Sequence, residues 1–154
     1  MLRLIVIFFM TAGFVIAGPL AEREGWAIHP TSKPYQTLID DLKAAVKTEG
    51  MAVVTEAGPT GAAAARGITI PGNRVLGVYN NDFAVRVLAL STAAMIEAPI
   101  RFYVTENENG TATLSYKTPT LVFAPYMDEG GDELAAIATE LDARFAQIAS
   151  MAVQ

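Results

Sequence analysis

Arg101, Tyr103 and Tyr116 are the side chains of this chain best suited to hold a ligand. Arginine presents a planar, permanently charged fork of donors to a carboxylate, phosphate or carbonyl group, and tyrosine adds flat apolar surface with a polar tip. Their spacing follows from a hairpin. Pro99 forces an extended approach into Ile100 to Glu106, and Asn109-Gly110 separates that strand from Thr111 to Lys117. With a loop of two or four residues, Arg101, Tyr103 and Thr105 share one face with Ala112, Leu114 and Tyr116. Phe102, Val104 and Glu106 then share the other with Thr113, Ser115 and Lys117. Large apolar groups on both faces predict that something covers each of them.

The remaining residues offer little catalytic chemistry. His29 is the single histidine, so no multi-histidine metal site or mechanism can be built from one chain, and beside Pro30 it reads as a hydrogen-bonded or solvated residue. Ser91, Ser115 and Ser150 lie in no Gly-x-Ser-x-Gly elbow. Gly58-Pro59-Thr60-Gly61 lacks the Lys-Ser or Lys-Thr of a phosphate loop, and Pro59 removes a donor that such a loop uses. Asp40-Asp41, Asp128-Glu129 and Asp132-Glu133 read as helix-start charge and solvation rather than as acid-base pairs or a calcium site. Met51, Met95, Met127 and Met151 fall in four separate segments without copper-binding spacing, which suits core filling. Asn109-Gly110-Thr111 matches a glycosylation acceptor formally, but a turn accounts for it. We therefore expect no catalytic residue, no metal and no cofactor.

The elements that position the hairpin are legible in outline. Gly25 to His29 reads as a first strand. Tyr35, Leu38, Ile39, Leu42, Ala45 and Val46 form one helical face, with Ser32 available as a cap, Pro34 in the first turn and Gly50 as the stop. Met51 to Thr55 is a second strand, and Gly58 to Gly67 is either a short alanine-rich helix or a flexible loop. Arg74 to Tyr79 is a buried strand, and Asn80-Asn81-Asp82 supplies oxygens to cap the helix after it. Beyond the hairpin, Thr118 to Asp132 reads as an irregular connection. Leu134, Ile137, Ala138, Leu141, Phe145 and Ile148 then make a second long apolar stripe. The sum is an α+β domain of five strands and two long helices, with short helices between them.

Composition bounds the setting. Arg3 followed by the apolar run Leu4 to Val15 and by Val15-Ile16-Ala17 predicts a signal peptide over 1–17, cut before Gly18, with 18–24 a short leader and 25–154 one domain. The run is shorter than the ~20 residues of a spanning helix, so a retained anchor is the lesser alternative and no membrane insertion is expected after cleavage. The localisation expected is export, to the periplasm or medium of a bacterium. With no cysteine, a lipid-anchored lipoprotein, disulfides and thiol catalysis are all excluded. The whole chain has 11 basic and 16 acidic residues; losing Arg3 leaves a net charge of -6, a poor match for nucleic acid or anionic membrane.

The order of these pieces resembles the domain of unknown function 302 family. The shared features are a strand ending in an Asn-containing turn, a short helix leading to Pro99-Ile100-Arg101, and a hairpin about Asn109-Gly110 ending at Pro119. From about Gly25 onward, the resemblance implies a curved, mostly antiparallel sheet with the two long helices against one face, and an order of strand, helix, four strands, helix. It also implies dimers. The family has no assigned biochemical role, so no functional residue is carried over from it.

Three functions fit these residues. The leading one is an exported, non-catalytic accessory module that binds a small anionic or aromatic ligand through Arg101, Tyr103 and Tyr116. The second is a homodimer burying the second sheet face. The third, an enzyme pairing Arg101 with Glu97 or Glu106, has no supporting motif. Two plainer readings stand beside them: Arg101 in an ion pair with Glu97 or Glu106, and the 118–132 connection folding over the second face through Val122, Phe123 and Tyr126.

Overall fold

The structure, a computed structural model, describes residues 20–154. The expected signal peptide 1–17 and the first two residues of the leader lie outside the described residues. Along the chain run β1 (Trp26–Pro34), α1 (Tyr35–Thr48), β2 (Ala52–Ala57), α2 (Thr60–Ala64), β3 (Asn73–Tyr79) and α3 (Asn81–Leu90). A 3-10 turn (Ala94–Glu97), β4 (Ile100–Glu106), β5 (Thr111–Lys117), α4 (Pro119–Phe123), a second 3-10 turn (Ala124–Tyr126) and α5 (Met127–Val153) complete it.

The sheet is five-stranded and antiparallel at every pairing, in the order β1-β5-β4-β3-β2. β1 and β2 therefore sit at opposite edges, and α1 must cross the sheet to join them. Each edge carries an irregularity, between Pro30 and Pro34 in β1 and between Val53 and Thr55 in β2. Prolines and bulges are what an exposed edge tolerates and what discourages stray pairing there.

Local signals explain most boundaries. The Asn80 side chain accepts from the backbone N–H groups of Asp82 and Phe83, which caps α3 as expected. Gly50 takes φ 68° after α1. β1 is longer than expected: it runs through Ser32 to Pro34, so Pro34 itself holds the N-cap position in extended conformation and Ser32 caps nothing. The connection 118–132 is not irregular. The Thr118 hydroxyl caps α4 by accepting from Leu121 N–H, Pro119 suits its first turn, and α5 is already under way at Met127. Only Gly131 breaks α5, at φ 55° and ψ -147°.

The core lies between one face of the sheet and the helices. Leu76, Val78, Phe102, Val104, Leu114 and Tyr116 from β3, β4 and β5 meet Leu38, Leu42 and Val46 of α1 and Leu134, Leu141, Phe145 and Ile148 of α5. Phe102 stacks on Phe145 with ring centroids 4.6 Å apart, and Tyr116 packs on Phe102 edge-on at 5.0 Å. Aromatic pairs at these separations and angles are favourable beyond their burial.

Candidate functional site

Hairpin geometry decides which side chains meet on the open face. Gly110 N–H donates to Asn107 C=O, and Asn107 N–H donates to Thr111 C=O, so the loop is three residues, Glu108 to Gly110. Within the loop only Gly110 has positive φ, at 80°. This is a type I turn closed by a glycine bulge rather than the two-residue turn that Asn-Gly suggests. An odd loop reverses the expected parity. Phe102 pairs with Tyr116, Tyr103 with Ser115 and Thr105 with Thr113.

The expected face assignment is corrected accordingly. Tyr116 shares the helix-covered face with Phe102 and Val104, and is 4% exposed. Burial, and then the negative charge of Asp142, push its phenol pKa upward. Arg101, Tyr103 and Thr105 instead share the open face with Thr113, Ser115 and Lys117. The hairpin's open face is thus mostly polar, and the reason given for a cover over it no longer comes from the hairpin. Apolar surface arrives from β1 and β3: Trp26 pairs with Lys117, Ile28 with Ser115, and Val75 with Tyr103. The connecting segment does not fold over this face as a whole, because Phe123 is buried in the helix-side core.

A groove of about 520 Å³ occupies the open face. Trp26, Asn73, Val75, Arg101, Tyr103 and Lys117 line it, Glu97 and Val122 stand at its border, and Ile100 and Tyr116 also border it although both are buried. The volume is in the range of small-molecule sites. Arg101, Tyr103 and Tyr116 therefore all adjoin one cavity, with Tyr116 as a core ring at its margin. A second cavity, of about 30 Å³ between α3, α5 and the sheet, has an apolar lining and room for about a water molecule.

Each lining group is held from behind. The Asn73 amide donates to the Tyr103 hydroxyl, which fixes that ring between β3 and β4. Pro99 and the Thr55 hydroxyl fill the space a Cβ at Gly77 would need, so β4 enters tightly packed immediately before Arg101. Glu97 ends the 3-10 turn, where its Oε1 accepts from the Tyr126 hydroxyl at 2.8 Å. That bond, more than desolvation, raises the Tyr126 pKa.

The cations are available to a ligand. Among the described residues, five ion pairs engage Lys33, Lys43, Arg74, Arg86 and Arg144, and none engages Arg101, Lys117 or Arg23. The Arg101 ion pairs considered from sequence do not form. Glu106 accepts from Gly72 N–H at 2.6 Å, and Glu97 accepts from Tyr126. Lys117 Nζ and the Arg23 guanidinium lie 5.8 and 5.1 Å from the centre of the Trp26 ring, within cation–π reach.

Trp26, Asn73 and Lys117 do not stand out as site residues in the sequence, where Glu97 enters only as a partner for Arg101. Trp26, the only tryptophan, alternates with Ala27 and Ile28 as a strand residue should, but only the β1–β5 pairing brings it beside Lys117. His29 lies on the helix side, its ring stacked on Tyr116 at 6.0 Å. Among the described residues no group of three His, Asp or Glu side chains is arranged to hold a metal ion, and no helix is long and apolar enough to cross a membrane.

No curated protein sequence matches the chain. A crystal structure of an uncharacterized conserved DUF302 protein from Bacillus stearothermophilus superposes with a TM-score of 0.74 at 22% identity, covering 86% of this chain and 100% of that one. Likeness at that identity shows the fold. The profile of the family described as "Domain of unknown function DUF302" matches residues 28–152, from within β1 to within α5. The chain belongs to the DUF302 family.

Proposed function

We propose that this chain is an exported, non-catalytic module that binds a small anionic ligand with a flat or apolar body in the groove on the open sheet face. The observation that carries this reading is the pair of cations, Arg101 and Lys117, lining a groove beside Trp26 and Tyr103 without a carboxylate partner among the described residues. Arginine supplies the directional fork for a carboxylate or phosphate, lysine a point charge, and the rings a surface for the ligand's body. Most polar groups at such a site fix orientation while apolar walls supply affinity.

Native mass spectrometry of the protein purified from its own compartment tests both halves. The expected spectrum shows a chain beginning at Gly18 that carries a small molecule, with the molecule lost in Arg101→Ala and in Tyr103→Ala while circular dichroism stays unchanged. A wild-type protein without ligand, or variants that keep it, would overturn the binding reading.

The second reading is a homodimer through the same face, favoured by the half-buried Trp26, Ile28 and Val75 on it. Sedimentation equilibrium separates the two: a dimer that dissociates in Tyr103→Ala, in protein free of small molecules, favours the interface.

A further inference from the structure

We propose that Glu97 recognises a cationic group on the ligand, so that the groove selects zwitterions: a carboxylate for Arg101 and Lys117, an apolar or aromatic body, and an ammonium for Glu97. This rests on the groove being the ligand site. Glu97 is the one acidic residue bordering a groove whose other charged members are Arg101 and Lys117. A ligand bearing negative charge alone would bring like charges together at that border, whereas an added ammonium converts the repulsion into attraction.

The carboxylate is also prearranged. Its Oε1 accepts from the Tyr126 hydroxyl at 2.8 Å, and no described cation lies within ion-pair distance of it. The turn that carries it is clamped at its start as well. Ser91 Oγ donates to Glu129 of α5 and accepts from Ala94 N–H at 2.9 Å. One bond from Tyr126, just before α5, to the carboxylate and one from Ser91 to Glu129 in its first turn thus hold Glu97 and its turn without neutralising the charge, which is the arrangement expected of a recognition group that loses little entropy on binding.

Calorimetric titration of the mature protein with L-tryptophan, L-tyrosine and L-leucine, each against its des-amino acid, is the test. In the wild type the amino acid of at least one pair should bind about tenfold tighter than its des-amino counterpart, the scale of one charge pair at a half-buried site. Glu97→Gln, which keeps an acceptor for Tyr126, should erase that preference, and Tyr126→Phe, which frees the carboxylate but leaves its charge, should reduce it without erasing it. Arg101→Ala should weaken both members of the pair. Equal binding of the two members in the wild type, or a preference that survives Glu97→Gln, overturns the role of Glu97 but leaves the groove standing if Arg101→Ala still weakens both. Absence of binding throughout overturns the groove reading with it.

Discussion

Tyr103 and Tyr116 sit in one hairpin in opposite surroundings. Tyr116 is 4% exposed and wedged against Phe102 and Phe145, whereas Tyr103 is half-buried on the open face with its hydroxyl held by Asn73. Removing a packed aromatic ring leaves a cavity that the core closes only in part, so Tyr116→Ala should cost about 3–5 kcal/mol. Tyr103→Ala should cost about 1 kcal/mol, the ordinary scale for a half-exposed position. Urea denaturation of both variants checks the contrast; equal losses would mean the two rings share one environment. His29 reports on the same cluster through pH. Its Nε2 is buried without a partner, and burial holds its pKa below the ordinary 6.5. The fold accepts the neutral ring, so this contribution is complete above pH 6.5. As pH falls below that value the unfolded chain takes up the proton first and stability is lost. Glu56, lowered mainly by its bond from Lys43, acts in a separate window below 4.5. The denaturation midpoint should therefore fall as pH is taken from about 7 to about 5.5, and His29→Leu should flatten that fall.

At the scale of elements, the hairpin turn carries the largest consequence for the site. Gly110 holds φ 80° and a Cβ there would meet nothing within 4 Å, so substitution is opposed by backbone conformation alone. Gly110→Val should destabilise the domain by about 1 kcal/mol or more, since a β-branched residue is strained in the left-handed region. An unchanged denaturation curve would contradict the bulged turn. The same turn marks where the sequence stops being sufficient. Asn109-Gly110 announces a hairpin, and β4 begins and ends at the expected Ile100 and Glu106. Two- and three-residue loops both want a glycine at that point, however, and a change of one residue exchanges every side chain between faces. Arg101 and Tyr103 were legible as candidates because they belong to a single strand. Trp26 joins them only through pairing with β5, a contact that spans much of the chain, and Glu97, legible only as a partner for Arg101, is placed at the groove by the turn before β4 and its bond to Tyr126. Capping, by contrast, is local, and Asn80 could be read directly.

Over the whole molecule, charge is distributed so that the open face stands apart. The chain carries 16 acidic residues against 11 basic ones, and among the described residues five of the basic ones are held in ion pairs elsewhere. Arg101 and Lys117 line the groove and Arg23 lies by Trp26, which concentrates positive potential on an otherwise acidic protein. A positive patch on an acidic protein suits an anion in either role, as a bound ligand or as the acidic surface of a second copy. Binding and self-association then differ in how they affect thermal stability. A ligand present at 100 times its dissociation constant adds about 2.7 kcal/mol to the folded state. For a domain of this size each kcal/mol raises Tm by about 2–4 °C. A groove ligand at that excess should therefore raise Tm by about 5–11 °C, independently of protein concentration and not in Arg101→Ala. If the open face is instead a dimer interface, Tm should climb with protein concentration in the absence of any small molecule. Differential scanning calorimetry over a hundredfold range of protein, with and without ligand, separates the two. A concentration-dependent Tm that no ligand shifts would transfer Arg101, Lys117 and Trp26 from a binding groove to a subunit contact.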